Sequence, residues 1–267
     1  MKRPVKKEGR RAADASPSQP QTEVLFGVHP VREALFAGRR RFESILIGRD
    51  SGSGPLLDIC RAAESGHIPI ENAPRSYLDK IAGQTLHQGV LAMVSPFPAV
   101  DMETFHGRCL GKGAAPFFLI LDTIVDTQNL GALIRTALCA GVTGMILPKD
   151  RSVKPSPAVS KASSGAMEHA VIGIATNISV AIDELKSAGV WVSGLDAQAE
   201  TSVYDSDLTG PLALVVGGEE KGIRPLVRKQ CDFLVSIPQK GPIDSLNASV
   251  AGAVVMYEAV RQRLKMK

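Results

Sequence analysis

The chain reads as an α/β protein in two units, a C-terminal unit built on a parallel sheet and a smaller N-terminal α/β unit. Three observations predict this. Short apolar runs, many of them β-branched, alternate with stretches of helical periodicity, the pattern of strands covered on both faces. Pro96, Pro98, the G-K-G at 111–113 and Pro116 separate two such series. A length of 267 residues suits two modest domains, each able to bury its own core.

Residues 1–22 are rich in Lys, Arg, Ser, Pro and Gln and hold almost no large apolar side chains. Burial cannot offset the entropy of ordering them, so a flexible basic arm is expected. In the domain over 23–98 the pattern predicts a helix at 30–36, a strand at 42–47 and a helix at 55–64, then a strand near Ile68, a helix near 76–81 and a strand at 90–94. A linker is expected over 99–115. In the domain over 116–267, strands are expected at 117–121, 144–147, 171–174, 190–195, 212–216 and 233–237, with helices between most of them and a long apolar helix over 246–264.

The net charge of +4 is mildly basic but unevenly placed. Lys2, Arg3, Lys6, Lys7, Arg10 and Arg11 crowd the start, and Arg39, Arg40 and Arg41 form a second cluster. Both clusters suit phosphates, and the alternative for each is a solvated charge run. No segment reaches the roughly 18 uninterrupted apolar residues of a membrane span, and the start lacks the apolar core of a signal peptide, so a cytoplasmic protein is expected. Cys60, Cys109, Cys139 and Cys231 stand apart, with no C-x-x-C pair and no His at ligand spacing. Reduced thiols are expected, with neither disulfide nor metal site.

Three strand–loop–helix junctions carry the chemistry. In 238–251, P-Q-K-G-P-I-D-S-L-N-A-S-V-A, a buried-looking strand passes through Gly, Pro, Asp, Ser and Asn into the long helix. In 119–136, L-I-L-D-T-I-V-D-T-Q-N-L-G-A-L-I-R-T, a strand meets a polar loop and then a helix bearing Arg135. In 212–224, L-A-L-V-V-G-G-E-E-K-G-I-R, a strand ends in a Gly-Gly pair followed by charged residues. Free N–H groups at helix starts and polar loops at strand ends are where open α/β sheets bind ligands.

In composition, order and spacing, N-L-G-A-L-I-R-T (129–136), V-G-G-E-E-K-G (216–222) and S-I-P (236–238) with S-L-N-A-S-V-A (245–251) resemble the three motifs of the SpoU (TrmH) family of the SPOUT superfamily. These are S-adenosylmethionine-dependent RNA 2′-O-ribose methyltransferases. The resemblance covers about 116–264. F-G-V-H-P-V and H-Q-G-V in 24–98 are similar to the N-terminal domain of the RlmB subgroup, which methylates a guanosine ribose in 23S ribosomal RNA. The chain departs from the family at Ala248, more often Val, and at Lys221, where the subgroup tends to be acidic.

The resemblance implies a deep C-terminal trefoil knot, an N-terminal RNA-binding domain of ribosomal-protein type and a homodimer with the C-terminal helix at its interface. It implies S-adenosylmethionine held by the backbone around Gly217, Ile237 and Leu246, with Gly218 allowing close approach. A Cβ at Gly217 is expected to collide with that ligand. Arg135 is implied to be essential, with anchoring a phosphate or stabilising an alkoxide physically easier than acting as a base, because a guanidinium pKa lies above about 12. Asn129 is expected to orient the ribose hydroxyl or Arg135, or to cap its helix. Glu219 is expected to position Arg135 or the nucleotide, and Ser245 and Asn247 to bond the ribose or hold the loop. His29, Arg32, His87 and Gln88 are expected on the RNA-binding face.

Other classes remain in view. A methyltransferase of the usual dinucleotide-fold order places its glycine-rich turn after the first strand, whereas these glycines lie in the C-terminal third. The P-loop pattern is absent. Transfer RNA is the alternative substrate for the same chemistry. A non-catalytic RNA-binding or ribosome-assembly factor would keep the arm and small domain without needing Arg135 or the polar loops.

Overall fold

The computed structural model describes residues 22–49, 54–83, 85–111, 115–243 and 245–266. The basic arm lies outside the described residues except for Thr22.

The N-terminal domain runs β1 (Glu23–Phe26), α1 (Val28–Ala37), β2 (Phe42–Gly48), α2 (Gly54–Ser65), β3 (Ile70–Ala73), α3 (Arg75–Ala82) and β4 (Val90–Val94). Its sheet has the order β1-β4-β2-β3, antiparallel except between β2 and β3. Leu25, Val31, Ile45, Ile59 and Val90 fill one side beneath α1 and α2, and Leu46, Leu78 and Leu91 fill the other beneath α3. The sequence reading lacks β1, because four residues are too few to display a period and the strand exists through its pairing with β4.

The interval expected as a linker contains α4 (Met102–Cys109). Asp101 caps it by accepting from the Thr104 amide at 2.8 Å. Phe105 is fully buried against Gly144 and Gly173, where an added Cβ would stand 2.6 and 2.9 Å from the ring. The interval therefore contributes to the core of the second domain.

That domain comprises β5 (Phe117–Asp122), α5 (Thr127–Cys139), β6 (Gly144–Pro148), α6 (Pro157–Ala162), β7 (Ile172–Ala175), α7 (Ile178–Ser187), β8 (Trp191–Leu195), β9 (Leu212–Gly217), α8 (Pro225–Gln230), β10 (Phe233–Val235) and α9 (Ala248–Leu264). Its six strands are all parallel, in the order β10-β8-β9-β5-β6-β7. Side-chain alternation along β5 sends Phe117, Leu119 and Leu121 toward α5 and α9, and Phe118 and Ile120 toward α4, α7 and α8. The centre of the sheet is thus apolar on both faces. From β5 the chain steps outward through β6 and β7, then crosses to β8 and β9 on the other side. Ligands of open α/β sheets bind at the carboxyl ends of strands beside such a reversal.

The domains meet over a buried ion pair. Arg40 donates to both carboxylate oxygens of Glu168 at 2.7 and 3.1 Å, to Glu23 at 2.6 Å and to the Ser95 carbonyl at 3.1 Å. Arg39 donates to the carbonyls of Glu168 and Ala170. Of the cluster expected to face phosphate or solvent, Arg41 is exposed, while Arg40 is enclosed between domains.

Candidate active site

A cavity of about 130 Å³ opens at the carboxyl ends of β8 and β9, bounded on one side by Ile237, Gln239, Ser245, Leu246 and Ala248. Gly217, Gly218, Ile237 and Leu246 line it together, and so do Glu219 and Ser245. Its walls at Leu195, Val216, Ile237 and Leu246 are apolar, and its rim is polar at Glu219, Gln239 and Ser245. This is the usual balance in small-molecule sites, where a few polar groups fix orientation.

The two glycines are required by the fold itself. A Cβ at Gly217 would lie 2.1 Å from the Gly222 carbonyl carbon and 2.3 Å from the Ile223 nitrogen. At Gly218 it would lie 2.6 Å from the Thr123 oxygen. Each glycine is demanded by the backbone of the chain itself, which folds 218–222 into a tight turn closed by the Gly222 amide on the Gly218 carbonyl at 2.9 Å. The buried Asp122 at the end of β5 pins the far side of this turn, accepting from the Arg224 amide at 2.9 Å and its Nε at 2.8 Å. Sequence reasoning missed Asp122, whose only signal is one carboxylate closing an apolar strand.

The three junctions converge on Glu219. Asn129 Nδ2 donates to Glu219 Oε1 at 2.9 Å, and Asn247 Nδ2 donates both to that oxygen and to Asn129 Oδ1, the latter at 2.9 Å. Asn129 does not cap α5. Asp126 does, accepting from the Asn129 amide at 2.9 Å, which leaves the Asn129 side chain free to reach across. Asn247 caps α9 through Oδ1, which accepts from the amides of Ser249 and Val250 at 2.9 and 3.2 Å. One amide thus starts a helix with its oxygen and fixes the trio with its nitrogen. A second cavity, of about 410 Å³, shares Gly218, Glu219 and Ala248 with the first and has Asn129, Arg151 and Lys221 on its wall.

Arg135 is not brought to Glu219 within the chain. It follows Asn129 by six positions on α5, which at about 100° per residue turns it roughly 120° around the helix. It is exposed, and its Nη1 donates to Ser164 Oγ at 3.1 Å.

The N-terminal residues divide. His29 is exposed near the start of α1, and Arg32 is half-buried, ion-paired to Glu33 at 2.7 Å. His87 is only 4% exposed; its Nε2 meets Asp79 at 2.8 Å and its Nδ1 accepts from the Gly89 amide at 3.1 Å. It holds the turn from inside. The exposed Gln88, at φ 54°, accepts from the Val28 amide at 3.3 Å and joins the two loops. Among the described residues no group of His, Cys, Asp and Glu is arranged to hold a metal ion.

Fold and site together define a two-domain α/β protein with a ligand cavity at the carboxyl ends of a parallel sheet, walled by a conformationally fixed carboxylate. Residues 116–257 match the SpoU rRNA methylase family, and residues 24–100 match the substrate-binding domain of RNA 2′-O ribose methyltransferases. The chain belongs to the SpoU family and is an RNA methyltransferase by that membership. It is 38% identical over 244 residues to YacO of Bacillus subtilis, named as a TrmH family tRNA/rRNA methyltransferase, covering 91% of this chain and 97% of that one. It is also 38% identical over 243 residues to the 23S rRNA (guanosine-2′-O-)-methyltransferase RlmB of Pseudomonas putida, covering 91% and 98%. In structure it resembles the SpoU methyltransferase AviRb of Streptomyces viridochromogenes in complex with AdoMet, with a TM-score of 0.76 at 24% identity over 91% of each chain.

Proposed function

We propose that this protein transfers a methyl group from S-adenosylmethionine to a ribose 2′-hydroxyl of RNA, in the best-supported case a guanosine of 23S ribosomal RNA. The observation that carries the reading is Glu219, which lies on the wall common to the two cavities and is fixed by Asn129 and Asn247. A donor in the first cavity and a nucleotide in the second would meet there. The apolar walls and polar rim of the first cavity suit a ligand that is part aromatic base and part charged amino acid. When bound, this cofactor supplies an electrophilic sulfonium methyl.

What remains for the protein is orientation and charge. Holding the two reactants in line is worth up to about 7–11 kcal/mol. Glu219, with Asn129 and Asn247, offers acceptors and donors to the ribose, and Ser245 adds a hydroxyl at the rim. Arg135 stays protonated and suits a neighbouring phosphate or the developing alkoxide. His29, Arg32 and Gln88 lie on the domain that grips RNA, the reading favoured by the substrate-binding match over 24–100. A ribosomal-protein-like character of that domain and a knotted path for the C-terminal segment belong to the same reading. Family membership supports both.

We further propose a homodimer acting in the cytoplasm, where its RNA is found. Val250 and Tyr257 on α9 are 49% and 50% exposed, and the exposed Arg135 lies on α5, which packs against α9. A second copy covering this surface would bring its Arg135 to the Glu219 of the first. Mixing Arg135→Ala and Glu219→Gln subunits tests this: activity restored in the mixture supports it, and a mixture as inactive as its parts opposes it. None of the described helices is long and apolar enough to cross a membrane.

The name carried by YacO keeps transfer RNA as the second reading. Radiolabelled S-adenosylmethionine incubated with separated ribosomal and transfer RNA from cells lacking the gene decides between them. Label in large-subunit RNA supports the guanosine assignment. Label confined to transfer RNA moves the substrate, and absence of donor binding would favour an RNA-binding or assembly factor.

A further inference from the structure

We infer that Ser164 is a positioning residue for Arg135, and that its turn passes the docking of the N-terminal domain to the helix carrying that arginine. The inference rests on the reading of Arg135 given above. Ser164 Oγ accepts from Arg135 Nη1 at 3.1 Å. An exposed arginine explores many rotamers, and one acceptor at its tip narrows that range. Ser164 itself sits at φ 54°, a left-handed conformation that glycine or asparagine adopts more readily. A residue that keeps a hydroxyl at such a position is a pointer to use.

The turn is clamped from both sides. Toward α5, a Cβ on Gly131 would stand 2.5 Å from Ala162 Cβ and 2.8 Å from the Ser163 nitrogen, so helix and turn are in close contact. Arg135 follows Gly131 by four positions and therefore leaves α5 on that same face. Toward the N-terminal domain, Gly165 follows at φ 84°, and a Cβ there would stand 2.7 Å from Glu33 Cγ and 2.8 Å from the His29 carbonyl oxygen. Glu33 also meets His169 Nε2 at 2.9 Å, and Lys161 donates to the Leu86 carbonyl.

Beneath, a chain of buried bonds ties the turn to the domain interface. Ser163 Oγ donates to the Ser160 carbonyl at 3.0 Å, Ser160 Oγ donates to Glu168 Oε1 at 2.7 Å, and Glu168 holds Arg40. The segment 160–169 therefore touches Arg135 at one residue and the RNA-binding domain at its neighbours. If the N-terminal domain shifts, the support of Ser164 shifts with it.

Two substitutions separate the hydroxyl from the turn. Ser164→Gly removes the acceptor while suiting the left-handed backbone, and Ser164→Asn keeps an acceptor on a residue that tolerates it. With the full chain, labelled S-adenosylmethionine and total ribosomal RNA from cells lacking the gene, Ser164→Gly should lower kcat about tenfold or more, the loss expected for one charged hydrogen bond. The KM for RNA, donor affinity and melting temperature should stay near the parent values, and Ser164→Asn should recover much of kcat. Glu33→Ala should lower kcat in the parent but add little in the Ser164→Gly background.

An unchanged kcat in Ser164→Gly overturns the positioning role, as does an equal loss in Ser164→Asn. Fully additive effects of Glu33→Ala overturn the coupling. Arg135→Ala is run beside them: if it too leaves turnover intact, the assignment of Arg135 has failed, whereas a dead Arg135→Ala with an active Ser164→Gly sinks the present inference alone.

Discussion

Asn129 and Asn247, 118 positions apart in the chain, face each other through a 2.9 Å amide–amide hydrogen bond, and both donate to the same oxygen of Glu219. The bond ties the start of α5 to the start of α9 and places one carboxylate where two cavities meet. Each asparagine is held by a backbone feature next to it, the Asp126 cap for one and its own cap for the other. The trio is therefore held by hydrogen bonds of the chain itself.

Asn247→Ala should remove both the cap of α9 and the tie to Glu219, lowering stability by about 0.5–2 kcal/mol together with turnover. Asn247→Asp keeps an acceptor for the Ser249 and Val250 amides, yet it sets a second carboxylate against Glu219. It should lose less stability than the alanine variant and just as much turnover. Denaturant midpoints and turnover measured side by side check this, and an active Asn247→Asp would remove the trio from the mechanism.

Gly217→Ala should damage the fold of the 218–222 turn first and donor binding as a consequence. Its Cβ would overlap backbone at 2.1 Å, and backbone cannot rotate away as a side chain does. Overpacking of this kind costs about 1–3 kcal/mol. Calorimetric donor titration and melting curves should fall together; a variant of parental stability that has lost donor affinity would instead mean that the methyl group blocks the ligand directly.

Much of the site was legible because its residues sit where short signals are strong. Strand ends, helix starts and the Gly-Gly pair punctuate the sequence at Asn129, Gly217, Glu219 and Asn247, and all four fall around the two cavities. What could not be read depends on partners remote in sequence. Arg40 looks like a surface cation until Glu168 is placed over it, and His87 looks like a loop histidine until Asp79 and Gly89 enclose it. Likewise α4 resembles a linker by composition, and only the glycines of β6 and β7 show why Phe105 must pack there. Ser164 carries no local signal at all.

Removing one member of the Arg40–Glu168 pair should be severe. Both side chains are almost wholly buried, so Arg40→Met leaves the Glu168 carboxylate without its counterpart, at a cost of about 3–5 kcal/mol, whereas Glu168→Gln leaves Arg40 its Glu23 partner and should cost less. Replacing both should cost less than the sum of the two single changes. Urea unfolding of the four proteins forms the cycle, and strict additivity would mean that the two side chains do not interact.

Acid should loosen the interface at Glu33. Burial raises the Glu33 pKa, but its hydrogen bonds with Arg32 and His169 and their charges outweigh burial, so the folded value lies below the ordinary 4.5. A lowered folded pKa stabilises the protein above the unfolded value, and that contribution is lost as pH falls through the folded one. Glu33→Gln should thus be less stable than the parent near neutral pH, and the gap should close below pH 4.5. A gap that is constant across a pH series of urea midpoints would contradict the assignment.

Methyl transfer to a ribose hydroxyl is tested by the chemical position of the transferred methyl. Ribosomal RNA from cells lacking the gene is incubated with the protein and tritium-labelled S-adenosylmethionine, then hydrolysed in alkali. A 2′-O-methyl group blocks cleavage of the adjoining phosphodiester, so label is expected in an alkali-resistant dinucleotide, and none with Arg135→Ala. Label in free mononucleotides would place the methyl on a base, and label undiminished in Arg135→Ala would leave that arginine without a part in the reaction; either result contradicts ribose methylation that depends on Arg135.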